Sequence, residues 1–152
     1  MFKIKNILLP TDFSNLSLTA ASYAIELASQ YGAKIHLLHV IEKKPPILAI
    51  RAIDISEEKI MKSIEDAAKE SLKKALDKIN NQNTVEIKSI LLKGNDYEEI
   101  VNYSQQQNID VIVIATHGRT GLLHTLVGSV AEKVIRYAKC PVLVITPTEK
   151  DK

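Results

Sequence analysis

The sequence predicts an α/β domain with a mostly parallel sheet sandwiched between helices. Two observations predict it. Five short apolar runs are nearly continuous in Val, Ile and Leu instead of alternating, as parallel strands covered on both faces are. Between them lie segments whose apolar residues recur at helical spacing. Strands and helices therefore alternate, and right-handed crossovers are expected. At 152 residues the chain can build one full core. The expected domain is 1–147, with a frayed tail from Thr148 to Lys152.

The first predicted strand runs from Ile4 to Pro10. A helix follows from Leu16 to Tyr31, with Ala20, Ala24, Leu27 and Tyr31 on one face and Gly32 as its C-terminal stop. The second strand spans Lys34 to Ile41. Lys43-Lys44-Pro45-Pro46 then breaks the pattern, and a mobile loop is expected up to Asp54. The second helix, Ser56 to Asn80, carries a stripe that includes Ile60, Ile64, Ala68, Leu72, Ala75 and Ile79. Val85 to Leu92 forms the third strand. A short helix from Tyr97 to Gln106 follows, where Asp96 and Glu99 resemble a capping pair. The fourth strand, Asp110 to Ala115, leads into a glycine-bearing loop. The fourth helix starts at Ser129 or Val130 and ends near Tyr137. Ser129 and Glu132 fit capping-box spacing, and Val130, Val134, Ile135 and Ala138 make the apolar stripe. Val142 to Thr146 is the fifth strand.

Composition narrows the function classes. Net charge is +2 with Lys and Glu mixed along the chain, too balanced to argue for nucleic acid as a partner. The apolar runs are strand-sized, far short of a membrane span. The start of the chain has no signal-peptide layout, so a cytoplasmic protein is expected. The single cysteine, Cys140, reads as a buried structural thiol.

In parallel sheets, ligands bind beyond the carboxyl ends of the strands where the strand order reverses. Four groups should converge there: Pro10-Thr11-Asp12, Val40-Ile41, Gly94-Asn95 and Ala115 to Gly118. Of the five glycines, Gly118, Gly121 and Gly128 fall in one window before a helix. Two readings of that window stand. Backbone amides at Gly118, Gly128 and the first turn after Ser129 could wrap phosphate oxygens, aided by the helix dipole and the Ser129 hydroxyl. Alternatively, the glycines shape a loop and Ser129 caps its own helix. Asp12 could accept hydrogen bonds from a ribose or help hold a metal, or it could cap the first helix or make a turn, alone or with Ser14. Arg119 could fork onto a phosphate or sit in solvent. Thr120 and Thr125 pose the same choice more weakly.

Other chemistry is poorly represented. There is no Gly-Lys-Ser/Thr loop and no G-x-G-x-x-G after the first strand. His36 and His39 are three apart on a strand and so point to opposite faces. His117 and His124 lie in the loop without a carboxylate or cysteine partner in sequence. No protein metal site is expected, and a Mg or Mn ion would arrive with a nucleotide. No residue stands out as a general base, so no catalytic residue is expected and an enzyme is the less expected class.

Three strings carry a family resemblance. Ile114-Ala115-Thr116-His117-Gly118-Arg119-Thr120-Gly121, then Gly128-Ser129-Val130-Ala131-Glu132-Lys133-Val134, then Cys140-Pro141-Val142-Leu143-Val144-Ile145 resemble the C-terminal half of a universal stress protein. Ile7-Leu8-Leu9-Pro10-Thr11-Asp12-Phe13-Ser14 resembles that family's first strand and loop. The resemblance implies a Rossmann-like, adenine nucleotide alpha hydrolase-like sheet in the order 3-2-1-4-5 with four helices. It implies homodimers pairing their last strands, here Val142 to Thr146. It also implies an ATP site with the pattern Gly-x-x-Gly-x₉-Gly-Ser/Thr. The second glycine maps to Gly118, the third to Gly128 and the hydroxyl residue to Ser129, while the first glycine is replaced by Ala115. By the same resemblance Asp12 approaches the ribose or phosphates, Val40 contacts adenine, and Pro10 and Thr11 line the pocket. His117, Arg119, Gly121 and Val130 complete the expected cofactor-binding set. The function implied is an ATP-binding regulatory or stress-response module. A nucleotide-free dimeric scaffold and a weak ATPase or phosphotransferase are the alternatives.

Ala115 poses a physical question. If its position needs positive φ, alanine is strained by about 1 kcal/mol. If it is an ordinary strand end, the methyl only narrows the crevice, and the strand-like run into it favours this second case.

Overall fold

The computed structural model describes residues 3–46, 56–80, 85–117 and 127–146. Five parallel strands form one sheet: β1 (Asn6–Pro10), β2 (Lys34–Ile41), β3 (Ile87–Lys93), β4 (Val111–Ala115) and β5 (Val142–Ile145). Their order is β3-β2-β1-β4-β5, so the order reverses between β1 and β4. The helical segments are α1 (Asn15–Leu18), α2 (Ala20–Tyr31), α3 (Glu57–Ile79), α4 (Asp96–Gln106) and α5 (Ser129–Tyr137). The two short runs α1 and α2 together make the first crossover, interrupted at Thr19 where a single predicted helix stood.

Strand alternation divides the core into two layers. Ile7, Leu9, Ile35, Leu37 and Val113 face Ala20, Ala24, Ala28, Leu72 and Ala75 of α2 and α3. Leu8, Leu38, Ile112 and Ile114 face Ile100, Tyr103, Ala131 and Val134 of α4 and α5. Small alanines on α2 let it approach β1 and β4 closely. Its stripe turns out to run through Ala20, Ala24 and Ala28, so Tyr31, expected on that face, is exposed. Ile135 of α5 is likewise exposed, although expected on the stripe. Gly32 ends α2 in the left-handed conformation at φ 65°, as its position implied.

Side chains tie the layers at their edges. The Asp110 carboxylate accepts from the amides of Lys5 (2.8 Å) and Asn6 (2.9 Å), closing the entry of β1 against β4. Glu65 of α3 pairs with Lys69 and with Lys93 at the end of β3, and those hydrogen bonds hold its carboxyl down to about 2. Cys140 is partly buried, and that burial pushes its thiol up, in keeping with a structural role. Among the described residues no helix is long and apolar enough to cross a membrane.

The two histidines of β2 do point to opposite faces. His36 is buried toward α4, its Nδ1 2.8 Å from the Tyr103 hydroxyl and its Nε2 3.4 Å from Asn6 Oδ1. Burial, then the nearby Lys88 and Lys34, lowers its affinity for a proton. The folded chain therefore keeps His36 neutral, while the unfolded chain takes the proton at an ordinary histidine value, near pH 6.5. Stability from this group is full above that pH and is lost as pH falls below it. In a series of urea denaturations from pH 7.5 to 5, His36→Gln is expected to flatten the decline. An unchanged slope would show that His36 is not the titrating group.

Candidate nucleotide-binding crevice

The switch point between β1 and β4 opens into a crevice of about 1060 Å³, at the upper end of ordinary small-molecule pockets. The ends of β1, β2 and β4 and the start of α5 line it. Pro10, Thr11, Asp12, Val40, Ala115, His117, Gly128, Ser129 and Val130, all expected there, do meet around it. Gly94 and Asn95 join from the end of β3. Gly118, Arg119 and Gly121 lie outside the described residues, as do Thr120, His124 and Thr125.

The loop after β1 is built from short polar contacts. Thr11 is buried, its amide donating to Leu38 O (2.9 Å), and its hydroxyl sits 3.0 Å from that of Ser17. Asp12 Oδ1 accepts from the amide (3.0 Å) and hydroxyl (2.5 Å) of Ser14, so the turn-making role of Asp12 is observed. The Ser14 hydroxyl in turn caps α1 by accepting from Ser17 N (3.0 Å). Phe13 between them has φ 68°, which costs an aromatic residue on the order of 1–2 kcal/mol. The amide of Phe13 donates to Thr11 Oγ1 (2.9 Å), and its ring lies 4.1 Å from that of His39.

The end of β4 answers the question about Ala115. Its side chain is buried in the α2–α3 layer, it pairs with Ile145, and it is not among the residues with positive φ. Alanine is therefore unstrained there. Thr116 N donates to Ile145 O (2.9 Å), and the Thr116 hydroxyl lies 2.9 Å from His117 Nδ1.

The start of α5 departs from expectation in a way that matters. Gly128, not Ser129, is the N-cap, in extended conformation at φ −68° and ψ 157°. Ser129 is the first helical residue and is exposed, so it does not cap its own helix. Among the described residues no side chain caps this helix, and its first turn carries the partial positive charge of a helix N-terminus. Gly128 is required for a separate reason. Its amide donates to Thr116 O at 2.6 Å, and a Cβ there would stand 2.8 Å from the same oxygen. The expected Asp96–Glu99 cap also shifts: Asn95 is the N-cap, and Asp96 Oδ1 accepts from Tyr97 N (2.6 Å).

The model of the universal stress protein family matches residues 3–146 of this sequence. The chain belongs to the universal stress protein family. Universal stress protein MJ0531 of Methanocaldococcus jannaschii is 37% identical over 147 residues, 97% of this chain and 85% of that one. Universal stress protein MJ0577 of the same organism is 31% identical, over 93% of this chain and 94% of that one. The solved structure of MJ0577 superposes with a TM-score of 0.80, covering 95% of this chain and 97% of its own. A universal stress protein crystallised in complex with cAMP shares the fold at a TM-score of 0.68 and 21% identity, over 96% of this chain and 99% of its own. The universal stress protein fold thus accounts for the strand order and for the crevice at its switch point.

The crevice also has lining residues that the sequence does not mark as site residues, two of them aromatic rings in contact. Phe13 and His39 both line it. Phe13 stands in a short polar string where an aromatic residue reads as spacer. His39 reads as one more strand residue, and its contacts depend on how β1 and β2 pair.

Proposed function

We propose that this universal stress protein is an adenine-nucleotide-binding regulatory module, with ATP as ligand and Mg or Mn carried in with it. The observation that carries the reading is the start of α5. Its first turn, Ser129 to Ala131, opens on the crevice with no side chain among the described residues capping it, an arrangement that suits phosphate oxygens. The exposed Ser129 hydroxyl is available to join those amides. Asp12 stands beside the β1 end for the ribose, and Val40 offers an apolar surface for the base. Gly118, Arg119 and Gly121 belong to the same reading as the outer phosphate loop. That a neighbour of this fold holds cAMP supports an adenine nucleotide in this architecture. Nucleotide occupancy would act by changing conformation or partner affinity. We read the protein as a cytoplasmic homodimer and as a binding module in preference to an enzyme.

The nucleotide-free scaffold draws its main support from Ala115 standing where the family pattern has glycine; the absence of positive φ at Ala115 removes backbone strain from that argument. The test is direct. Purified protein is denatured and the released small molecules are separated by chromatography. Emptied protein is then heated with and without ATP and Mg²⁺. At about a hundredfold excess over Kd, ligand binding contributes about 2.7 kcal/mol. For a domain of this size that raises the unfolding temperature by roughly 5–11 °C. No nucleotide released and no shift would refute the proposal.

A further inference from the structure

We propose that His39 is a positioning residue that clamps the loop carrying Asp12 and so sets the affinity of the crevice for its nucleotide. The proposal rests on the nucleotide reading given above. Its geometry does not. His39 Nδ1 lies 2.7 Å from the carbonyl oxygen of Thr11. A carbonyl can only accept, so Nδ1 carries the hydrogen, which fixes the tautomer of the neutral ring. The same imidazole lies against the Phe13 ring, centroids 4.1 Å apart and planes 35° from parallel. Thr11 and Phe13 are the two chain neighbours of Asp12. One side chain from β2 therefore grips the loop on both sides of the carboxylate.

The loop needs such a grip. Phe13 holds a left-handed backbone conformation that an aromatic residue disfavours. Released from His39, the loop has reason to relax toward negative φ, and Asp12 would move with it. His39, Phe13 and Asp12 all line the crevice, so a shift there is felt by a ligand. Supporting residues that lock a binding group in place commonly control affinity without touching the ligand. His36 provides an internal contrast. Its Nδ1 faces a tyrosine hydroxyl and its Nε2 faces an Asn6 oxygen, so in the neutral ring Nε2 carries the hydrogen.

Two measurements test the clamp. In the nucleotide-free protein, long-range ¹H–¹⁵N spectra read the tautomers; His39 is expected as Nδ1–H and His36 as Nε2–H. Titration calorimetry with ATP and Mg²⁺ then compares wild type, His39→Leu and His39→Asn. Loss of one such hydrogen bond predicts roughly five- to tenfold weaker binding for His39→Leu. His39→Asn, whose amide can donate to Thr11 O, is expected to recover most of it. Combined with Asp12→Ala, His39→Leu should add little further loss, because both act through the same carboxylate. An Nε2–H tautomer at His39, undiminished affinity in His39→Leu, or full additivity with Asp12→Ala would overturn the proposal. If the wild type binds no ATP, the nucleotide reading fails by itself. The clamp is then decided by the tautomer and by whether the Phe13 and Ser14 amide signals move in His39→Leu.

Discussion

Gly128→Val is expected to lower the unfolding temperature by roughly 2–12 °C in nucleotide-free protein, and to abolish nucleotide binding as well. The first effect follows from packing. A Cβ at this position would stand 2.8 Å from the Thr116 carbonyl oxygen, which is backbone and cannot rotate away. The end of β4 or the start of α5 must shift, and overpacking of this kind costs about 1–3 kcal/mol. The second effect follows from the first, because the same shift displaces the amides that open on the crevice. Backbone conformation is not the reason for glycine here, since φ is −68° and any residue adopts it. Ser129→Ala separates the two effects. Ser129 is exposed and does not cap α5, so its loss should leave the unfolding temperature of nucleotide-free protein unchanged. Under the nucleotide reading it should weaken ATP binding by about tenfold, the loss of one hydrogen bond to a charged group. Differential scanning fluorimetry and calorimetry on both variants decide the matter. If Gly128→Val keeps wild-type affinity, the phosphate site lies elsewhere. If Ser129→Ala melts early, its hydroxyl has a structural role that the geometry does not contain.

The parts of this fold that were legible in the sequence are those set by hydrophobic burial over several residues. β1, β2 and β4 are buried on both faces, so each needs a largely apolar run; Ile7 to Leu9 and Val111 to Ala115 supply continuous ones, and Ile35 to Leu38 supplies one interrupted only by the buried His36. The strand order followed from the family resemblance, since alternation alone leaves many orders open. The N-caps of the last two helices lie one residue before the ones the spacing suggests, and the reason is local geometry. Ser129 with Glu132 has the spacing of a capping box, but a cap also requires extended φ and ψ at the capping residue, and here Gly128 has them. Sequence spacing could not choose between the two. Asp96 and Asn95 repeat the same one-residue shift. Tyr31 and Ile135 fall at helical spacing but are exposed: Tyr31 is the last residue of α2, and Ile135 stands one position round the helix from the fully buried Val134, off the stripe that Ala131 and Val134 form.

The candidate site was legible where chain neighbours form it and not where strand pairing does. Pro10 to Asp12 and Ala115 to His117 are short strings at predicted strand ends. The His39 clamp joins residues 28 apart in sequence, brought together because Pro10 pairs with Leu38. Once that register is known, His39 must lie beside the loop that leaves β1. Phe13 then ceases to be a spacer: its disfavoured backbone and its contact with His39 belong to the same arrangement.

Val144→Pro is expected to convert the proposed homodimer to a monomer while leaving the fold intact. Among the described residues β5 pairs on one side only, with β4, and forms an edge of the sheet. Within a strand, the N–H and C=O of one residue point the same way and those of the next point the opposite way. The carbonyls of Pro141 and Ile145 accept from Ile112 of β4 and from Thr116 just past its end. Val142, Val144 and Thr146 must therefore turn their backbone groups outward. Leu143 is 38% exposed beside them, and an apolar, unpaired edge invites a second strand. Proline at 144 removes one outward N–H and none of the bonds to β4, which is where sheets tolerate proline. Part of the packing of Val144 on the α4–α5 layer is lost, so a modest fall in unfolding temperature is expected beside the change in mass. Multi-angle light scattering at micromolar concentration reads the outcome. A dimer that survives Val144→Pro does not use this strand edge, and a wild type that is already monomeric removes β5 pairing from the proposed mechanism. Leu143→Ala adds a graded control: it trims the side chain without touching the backbone donors, so it should weaken association less than proline does.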